Sequence, residues 1–335
     1  MIVFLIELAL SDKIWTQMII NSDTEDKSPD HLEWINPNLF ESKIKPLLRL
    51  PIYTIYKYFI NKTLKQKYND KVNFHVDKWL LGQRGNDYDF LRRKVNSFIK
   101  IRNKKIFIAG CGTGRDSLSW LKFKPNEIEG VDFFNYKKSW DTLINYSAKK
   151  KYKTKLNYTQ GDLKELKDFP NSYFDILSSD AVLEHVNDLK LVCKEFHRIL
   201  KPGGVFYSTF GPLYYTWHGD HYSGWDGLSN GYKHLLLNKS EYEKYLNKQR
   251  YFGHSEEDGR TWIRNNLFSY LKPFDYINIF NKCGFSNIYT SVILEPEAIK
   301  CFNMRSDIKE KLLKQHSITD LLITGMTIIF KKVKK

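Results

Sequence analysis

The sequence predicts an α/β fold built around a doubly wound, seven-stranded and mostly parallel sheet. Three observations point to this fold. Short apolar runs alternate with helical patterns between residues 88 and 210, a glycine-rich turn follows the first run, and polar residues follow the others. Crossover helices place the carboxyl ends of parallel strands at one edge of a sheet, so we expect a ligand crevice at that edge.

The first strand and its turn are the most distinctive stretch. Residues 106–109 form an apolar run that leads into Gly110-Cys111-Gly112-Thr113-Gly114. Glycine has no Cβ, so such a turn bends sharply and admits a ligand close to the backbone. The first amides of the following helix then face the ligand. By itself, the pattern fits either a dinucleotide-binding turn or a tight turn without a ligand.

The remaining elements alternate in the order that a parallel sheet needs. Strand-like runs lie at residues 128–132, 156–159, 174–180 and 205–210. A helical pattern at residues 88–99 precedes the first strand, and helical patterns occupy the crossovers at residues 116–122, 136–149 and 184–200. Asp132 closes the second strand, Asp162 follows the third, and Asp180 closes the fourth. The polar groups therefore gather at the edge where the ligand is expected.

These ordered motifs resemble the class I S-adenosylmethionine-dependent methyltransferases over residues 88–210, and the C-terminal strands resemble that family more loosely. The resemblance implies a Rossmann-like methyltransferase fold and S-adenosyl-L-methionine as the cofactor. NAD fits less well, because its fingerprint places the third glycine three residues after the second, whereas Gly114 follows Gly112 by two residues.

The resemblance also implies which residues contact the cofactor. The backbone of the glycine turn would approach the methionine part, through Gly110, Cys111, Gly112 and Gly114. Asp132 would accept the ribose hydroxyls, and Phe133 would stack on the adenine edge. Asp162 and Leu163 would lie beside the adenine amine, and Ser179 completes the implied cofactor-binding set.

The methionine end of the site departs from the family pattern. Ile108 stands two positions before the first glycine, where members of the family often carry an acid. We therefore expect Asp116 or Asp180 to bind the ammonium group instead. Arg84, in the segment before the first strand, either meets the carboxylate of the cofactor or is an exposed turn residue.

Four regions make up the predicted chain. Residues 1–87 form a helical N-terminal extension, whose amphipathic helix over residues 47–68 packs on the core or on a second subunit of a homodimer. Residues 88–210 form the cofactor-binding core. Residues 211–272, rich in Tyr, Trp, His and Gly, form a substrate-binding insertion over the active site. Residues 273–335 return to the core, with a helical insertion at residues 296–317.

Histidines supply the candidate catalytic groups. Methyl transfer to a hydroxyl requires a general base, and histidine is the commonest side chain for that role. Asp180 and His185 flank the turn after the fourth strand, where a histidine also occurs simply at the start of a helix. His218 and His221 lie in the insertion with Asp220 between them. The fixed spacing of helical or finger metal sites is absent there, so we expect no metal.

The insertion favours O-methylation of a small molecule. Aromatic faces with polar groups suit a sugar ring, and insertions of this kind resemble those of methyltransferases in bacterial polysaccharide and natural-product pathways. A sugar or glycan precursor is therefore the expected acceptor. An RNA or protein methyltransferase, or a cofactor-binding protein without catalysis, is the alternative. Ser179-Asp180-Ala181-Val182 differs from the motif used to methylate planar nitrogens, which disfavours amino groups of bases.

Composition limits the partners. The formal charge is +15, from 53 Lys and Arg residues against 38 Asp and Glu residues. The lysines are spread along the chain, which favours a generally lysine-rich composition over a dedicated nucleic-acid partner.

The apolar run at residues 2–10 is too short for a membrane span and contains Glu7. Four scattered cysteines without a CxxC pair indicate neither a zinc site nor a disulfide framework, so a reducing cytoplasm is the expected compartment.

Overall fold

The computed structural model describes residues 17–20, 32–35, 88–224, 226–247 and 259–333. These residues contain one nine-stranded sheet with the order β2-β1-β8-β9-β7-β6-β3-β4-β5. The first two strands are β1 (Gln17–Ile20) and β2 (Leu32–Ile35). The other seven are β3 (Lys105–Ala109), β4 (Glu127–Asp132), β5 (Lys155–Gln160), β6 (Phe174–Asp180), β7 (Leu200–Phe210), β8 (Phe285–Leu294) and β9 (Ile323–Lys332).

The seven strands β3 to β9 confirm the predicted sheet. Strands β3 to β7 pair in parallel, and β9 pairs antiparallel with both β7 and β8. Six of the seven therefore run the same way, with β9 reversed. Strand β1 adds to β8 antiparallel, and β2 pairs with β1. The sequence-based prediction of a helical extension over residues 1–87 lies mostly outside the described residues, and the two described segments within it are strands.

Helices cover both faces of the sheet, as doubly wound folds require. They are α1 (Tyr88–Phe98), α2 (Asp116–Leu121), α3 (Lys137–Lys149), α4 (Leu189–Ile199), α5 (Lys233–Leu236), α6 (Lys239–Leu246), α7 (Gly259–Arg264), α8 (Pro273–Lys282), α9 (Pro296–Met304), α10 (Ser306–Leu313) and α11 (Ile318–Leu322). Successive side chains of β3 alternate between the two faces. Phe107 and Ala109 pack in one cluster with α4 and α8, whereas Ile106 and Ile108 pack in another with α1, α2 and α3.

The insertion after β7 is organised around a buried carboxylate, Asp220. Its Oδ1 accepts hydrogen bonds from the amides of Tyr222 and Ser223, and its Oδ2 accepts from the hydroxyls of Ser223 and Tyr242. Burial alone would raise the pKa of Asp220, but the neighbouring His234 and these hydrogen bonds hold it below its ordinary value. Asp220 therefore stabilises the folded insertion.

Helices α9 and α10 occupy the segment predicted as a second, helical insertion. Within the part of the chain that the structure describes, no helix combines the length and the apolar character needed to cross a membrane.

Candidate active site

The glycine turn after β3 meets three different requirements. Gly110, Gly112 and Gly114 have φ angles of 65°, 50° and 85°, a backbone region that favours glycine. A Cβ on Gly110 would overlap the side chain of Val182, and one on Gly114 would lie 2.7 Å from Leu143 Cδ1. A Cβ on Gly112 would meet no atom within 4 Å. Packing therefore requires the outer two glycines, and only Gly112 faces open space where a ligand can approach.

Asp132, at the end of β4, holds this turn in place. Its Oδ2 accepts a hydrogen bond from the Gly112 amide at 2.7 Å, and its Oδ1 accepts from the Phe134 amide at 2.9 Å. The Gly112 carbonyl in turn accepts from Trp140 Nε1 at 2.8 Å. Each oxygen of a carboxylate can accept more than one hydrogen bond, so supporting the turn is compatible with binding a diol. The predicted ribose contact thus lies against the open side of Gly112.

The predicted adenine contacts lie at the ends of β4 and β5. The Gly161 amide donates to the Asp132 carbonyl at 2.8 Å, which brings Asp162 next to the end of β4. Asp162 accepts from the Lys164 amide at 2.9 Å and remains partly exposed. The Phe133 side chain is 60% exposed, far more than a core aromatic. An uncovered ring beside a carboxylate suits a planar base, although these two assignments stay predictions.

A buried arginine that the sequence analysis missed lies beneath the methionine end. Arg92 of α1 is fully buried and donates to both carboxylate oxygens of Asp180. Its guanidinium carbon lies 4.3 Å from the ring centroid of Trp120, and the Tyr207 hydroxyl donates to Asp180 at 2.9 Å. Burial alone would lower the pKa of Arg92, but the charge of Asp180, the neighbouring Tyr207 and the hydrogen bond to Asp180 together outweigh burial and raise that pKa. Asp180 is therefore occupied by an ion pair, which weakens the prediction that it acts as a catalytic group.

Asp116 is the better placed of the two acids proposed for the ammonium group. It is buried at the start of α2, and its Oδ1 has no hydrogen-bond partner. Arg115 Nε lies 3.6 Å from that oxygen. Burial, and next the charge of Asp180, raise the pKa of Asp116 to about 6. A buried, unsatisfied carboxylate oxygen is costly unless a cationic ligand group pairs with it, so Asp116 fits the ammonium end of the cofactor.

Two predicted cofactor contacts remain, of which the structure describes Ser179 but not Arg84. The Ser179 side chain is fully buried in β6, opposite Ser208 of β7, and neither hydroxyl has a hydrogen-bond partner. The Ser179 side chain is thus closed to solvent and its backbone lies between β3 and β7, so its contact with the cofactor stays a prediction. Arg84 lies outside the described residues. Ile108 is buried, as an apolar residue in a central strand should be.

His185 has the geometry of an oriented base. It ends a short 3₁₀ turn, Leu183–His185, and its Nδ1 lies 2.8 Å from the Leu267 carbonyl oxygen. A carbonyl only accepts, so Nδ1 carries the proton and Nε2 carries the lone pair. The ring stacks on Trp262 with centroids 4.4 Å apart. Burial lowers the pKa of His185 from its ordinary value of 6.5, which keeps the ring neutral near pH 7.

The structure brings the two insertion histidines to the same place. The ring of His221 lies 4.9 Å from that of His185 and 6.4 Å from that of His218. His218 uses its Nδ1 to bind the Ser223 carbonyl. Burial, together with His185 and His218, lowers the pKa of His221 to about 3. Among the described residues, no group of three or more His, Cys, Asp or Glu side chains is arranged to hold a metal ion.

Glu184, which the sequence analysis did not single out, joins this cluster to the insertion. Its Oε1 accepts from the Gly211 amide at 3.0 Å, and its carbonyl accepts from the Ser269 amide at 2.8 Å. Burial raises the pKa of Glu184 to about 8. The charge of Asp180 adds to this rise, and hydrogen bonds from the backbone oppose it. The Glu184 side chain is therefore mostly protonated at pH 7. Glu184, which precedes His185, therefore binds the backbone near both ends of the insertion.

Residues 108–208 match a family model described as a methyltransferase domain. The chain is similar to sterol 24-C-methyltransferase erg6 of Aspergillus fumigatus, at 33% identity over 30% of this chain and 26% of that protein. It is also similar to the sterol 24-C-methyltransferase of Candida albicans, at 29% identity over 40% of this chain and 35% of that protein. The matched part thus spans 26% and 35% of the length of these relatives.

Among solved structures, the chain is similar to the geranyl diphosphate C-methyltransferase of Streptomyces coelicolor A3(2). That likeness has a TM-score of 0.47 at 11% identity and covers 77% of this chain and 82% of the other. Residues 108–208 include the end of β3, the glycine turn, Asp132 and Asp162, strands β4 to β6 and most of β7. The chain therefore contains a methyltransferase domain over residues 108–208, for which S-adenosylmethionine is the methyl donor.

Proposed function

We propose that the protein transfers a methyl group from S-adenosylmethionine to a small-molecule acceptor held between the carboxyl edge of the sheet and the insertion. The observation that most supports this is the position of His185. It ends the short turn Leu183–His185 that comes after β6, at the edge where the cofactor is expected, and its Nδ1 also binds the Leu267 carbonyl of the insertion. This position, next to both the expected cofactor edge and the insertion, supports a role for His185 in the transfer.

The residues that fit the cofactor are those around the glycine turn. S-Adenosylmethionine supplies an activated methyl group on a sulfonium centre. Gly112 leaves room for a ligand against the backbone, Asp132 offers a carboxylate for the ribose, and Asp116 offers an unsatisfied oxygen for the ammonium group. The chain's task is then to position the acceptor and, for a hydroxyl, to remove its proton.

For a hydroxyl acceptor, such as that of a sugar or glycan precursor, His185 is the preferred general base. The base should have a pKa near the working pH. A pKa of about 3 makes His221 a weak base. His218 resembles His185 in that its Nδ1 also binds a backbone carbonyl, so the position of His185 in the turn after β6 is what favours it over His218. His185 is neutral and fixed in one tautomer. Trp262 stacks on His185 and is partly exposed, so its ring is a candidate contact for a ring-shaped acceptor.

A carbon acceptor is the second candidate, because the relatives are named as enzymes that methylate C24 of a sterol. An alkene carbon has no proton to lose before it attacks the methyl group, so His185 would then act after the transfer or not at all. Apolar and aromatic side chains around the histidine cluster are compatible with such an acceptor. RNA or protein methylation, and cofactor binding without catalysis, remain alternatives.

The test begins with the cofactor and ends with the product. Calorimetry with S-adenosylmethionine and with its demethylated form should show binding of both, and absence of binding would overturn the proposal. The acceptor can then be found by incubating the protein with a methyl-labelled donor and candidate extracts. NMR of the purified product distinguishes an O-methyl from a C-methyl group.

The base is tested on that acceptor with His185→Asn, using His197→Asn as a matched control because His197 packs against Phe285 on another part of the fold. For an O-methyl product we expect kcat to fall on the order of a hundredfold or more in His185→Asn, with cofactor affinity unchanged. Full turnover in His185→Asn would show that another group removes the proton. The homodimer and the cytoplasmic compartment stay predictions; the four cysteines are free thiols in the structure.

A further inference from the structure

The edge of the sheet opposite the active site brings three separate loops together. They are residues 99–104 before β3, residues 122–126 before β4, and residues 149–155 leading into β5. Backbone hydrogen bonds join them. The Asn103 amide donates to the Lys124 carbonyl at 3.0 Å, and the Asn126 amide donates to the Lys104 carbonyl at 2.9 Å. The Lys155 amide then donates to the Asn126 carbonyl at 2.9 Å. We call these three loops the basic edge.

The basic edge is densely and uniformly charged. Its exposed cations are Lys100 and Arg102 in the first loop and Lys122 and Lys124 in the second. The third loop contributes five exposed lysines, at positions 149, 150, 151, 153 and 155. None of the three loops contains an aspartate or a glutamate. The lysines look dispersed along the sequence, yet the fold gathers three of their runs on one side of the molecule.

The nearest acids at the starts of the strands neutralise only part of this surface. Glu127 is buried and lies 3.6 Å from Lys105 Nζ. Asp175 is also buried, accepts from the Lys105 amide, and pairs with Lys104 and Lys201. Lys104 is thus paired with Asp175, and Lys155 is partly compensated by the charges of Glu127 and Glu129. The positive charge of the basic edge therefore rests mainly on its other cations, above all Lys149, Lys150, Lys151 and Lys153 of the third loop.

We propose that the basic edge binds the surface of a bilayer that contains anionic phospholipids. Lysines close to such a surface each contribute about 1 kcal/mol, a factor of about five in affinity. Tyr152 stands among the lysines of the third loop with 44% of its surface exposed. A tyrosine has an apolar ring and a polar hydroxyl, which suits the headgroup layer.

A nucleic acid fits the same surface less well. Nucleic-acid sites favour arginine, whose planar guanidinium binds phosphate in a bidentate way and stacks on bases, whereas Arg102 is the single arginine in these three loops. Single-stranded nucleic acids also need several aromatic rings as stacking platforms. Tyr152 is the one exposed aromatic residue in the three loops. Lysine point charges with one interfacial aromatic match a lipid surface better.

Bilayer binding would leave the active site accessible. The glycine turn and His185 lie at the carboxyl ends of β3 and β6, and the basic edge lies at the amino ends of β3, β4 and β5. The proposal is therefore independent of which acceptor is methylated, and its test can succeed or fail separately from the test of methyl transfer.

Vesicle co-sedimentation of the full chain provides the test. We expect binding to phosphatidylcholine vesicles that contain phosphatidylserine, weak binding to pure phosphatidylcholine, and loss of binding as salt is raised. The variant Lys150→Glu/Lys151→Glu/Lys153→Glu should lower the partition coefficient by on the order of a hundredfold, because three favourable contacts are lost. Its affinity for S-adenosylmethionine should match that of the unaltered protein, which shows that the variant is folded.

The matched control changes the net charge equally at exposed or partly exposed lysines of other elements, as Lys190→Glu/Lys311→Glu/Lys314→Glu. It should retain most of the vesicle binding. An equal loss in both triple variants would show that net charge alone acts, and would overturn the proposal. Tighter binding to a single-stranded or structured RNA than to the anionic vesicles, at the same salt, would overturn it in favour of a nucleic-acid surface. Absence of vesicle binding at low salt would also overturn it.

Discussion

The pH dependence of cofactor affinity gives the sharpest check on the methionine end of the site. The pKa of Asp116 is raised to about 6 by burial and by the charge of Asp180, and its Oδ1, although near Arg115, has no hydrogen-bond partner. If Asp116 binds the ammonium group, only the ionised form contributes. Above pH 7 the carboxylate is mostly ionised and affinity should be constant. At pH 5, one unit below the pKa, about one molecule in ten is ionised, so affinity should be about tenfold weaker.

Asp116→Asn removes the charge and should remove the pH dependence with it. A hydrogen bond to a charged group contributes about 1.5–3 kcal/mol, so at pH 7.5 the affinity should fall on the order of ten- to a hundredfold. Calorimetry with the demethylated cofactor between pH 5 and pH 8 measures both effects. Asp141→Asn, on the exposed side of α3, is the matched control. Unchanged affinity and an unchanged pH profile in Asp116→Asn would refute the assignment.

The same substitution should also stabilise the protein without ligand. The pKa of Asp116 is higher in the folded chain than its ordinary value of 3.8, so the folded state binds the proton more tightly than the unfolded state. That contribution is present below the unfolded pKa and is lost as the pH rises through about 6. At pH 7 the ionised carboxylate therefore opposes folding. We expect Asp116→Asn to unfold at a higher temperature at pH 7 than the unaltered protein, and the difference to shrink towards pH 4.

Three further outcomes follow from buried groups. Arg92→Met leaves the charge of the buried Asp180 without its ion-pair partner and should cost about 3–5 kcal/mol of unfolding free energy. The double variant Arg92→Met/Asp180→Asn should recover much of that loss. Thermal unfolding compares the two variants, and equal losses would argue against a stabilising ion pair. Glu184→Gln keeps an acceptor for the Gly211 amide, so hydrogen exchange of that amide should stay slow. Glu184→Ala removes the acceptor at a cost of about 1–3 kcal/mol, so the exchange should become faster on the order of ten- to a hundredfold. Equal exchange rates in the two variants would contradict the role of Glu184 in holding the insertion. The hydrogen bond from Cys193, opposed by burial but aided by nearby lysines, lowers the pKa of Cys283 to about 7, so iodoacetamide should modify Cys283 first with a rate midpoint near pH 7; preferential labelling of another cysteine would contradict this.

Local patterns predicted the fold, and with it the edge of the sheet at which the cofactor is expected. The glycine turn, and the strands that end near Asp132 and Asp162, could be recognised because a strand, its turn and its helix are contiguous in sequence. The order of the strands then followed from the rules of crossover connections. The sheet confirmed this expectation over β3 to β9. The two strands before residue 36 were not foreseen, because four-residue strands show too little periodicity to be distinguished from other apolar runs.

The groups that the sequence analysis missed depend on contacts between distant residues. Arg92 and Asp180 are 88 positions apart, and their pairing becomes visible only when α1 packs on the sheet. One signal did exist, since Arg92 and Val95 lie one helical turn apart and an arginine in an apolar stripe needs a buried partner. Glu184 offered no comparable signal. Its burial depends on how the insertion returns to the turn after β6, and loop paths are not determined by local periodicity.

The double role of Asp132 has a practical consequence for changing the donor. The carboxylate that is expected to read the ribose also fixes the Gly112 amide, and through it the shape of the turn beside the ligand. Replacing Asp132 to admit a donor with a different sugar would therefore deform the pocket for every donor at once. Selection for a new cofactor analogue would have to alter the turn and its Trp140 contact together with this acid. Acceptor range is less constrained, since the insertion that would set it is attached through Glu184 and Leu267 and leaves the turn untouched.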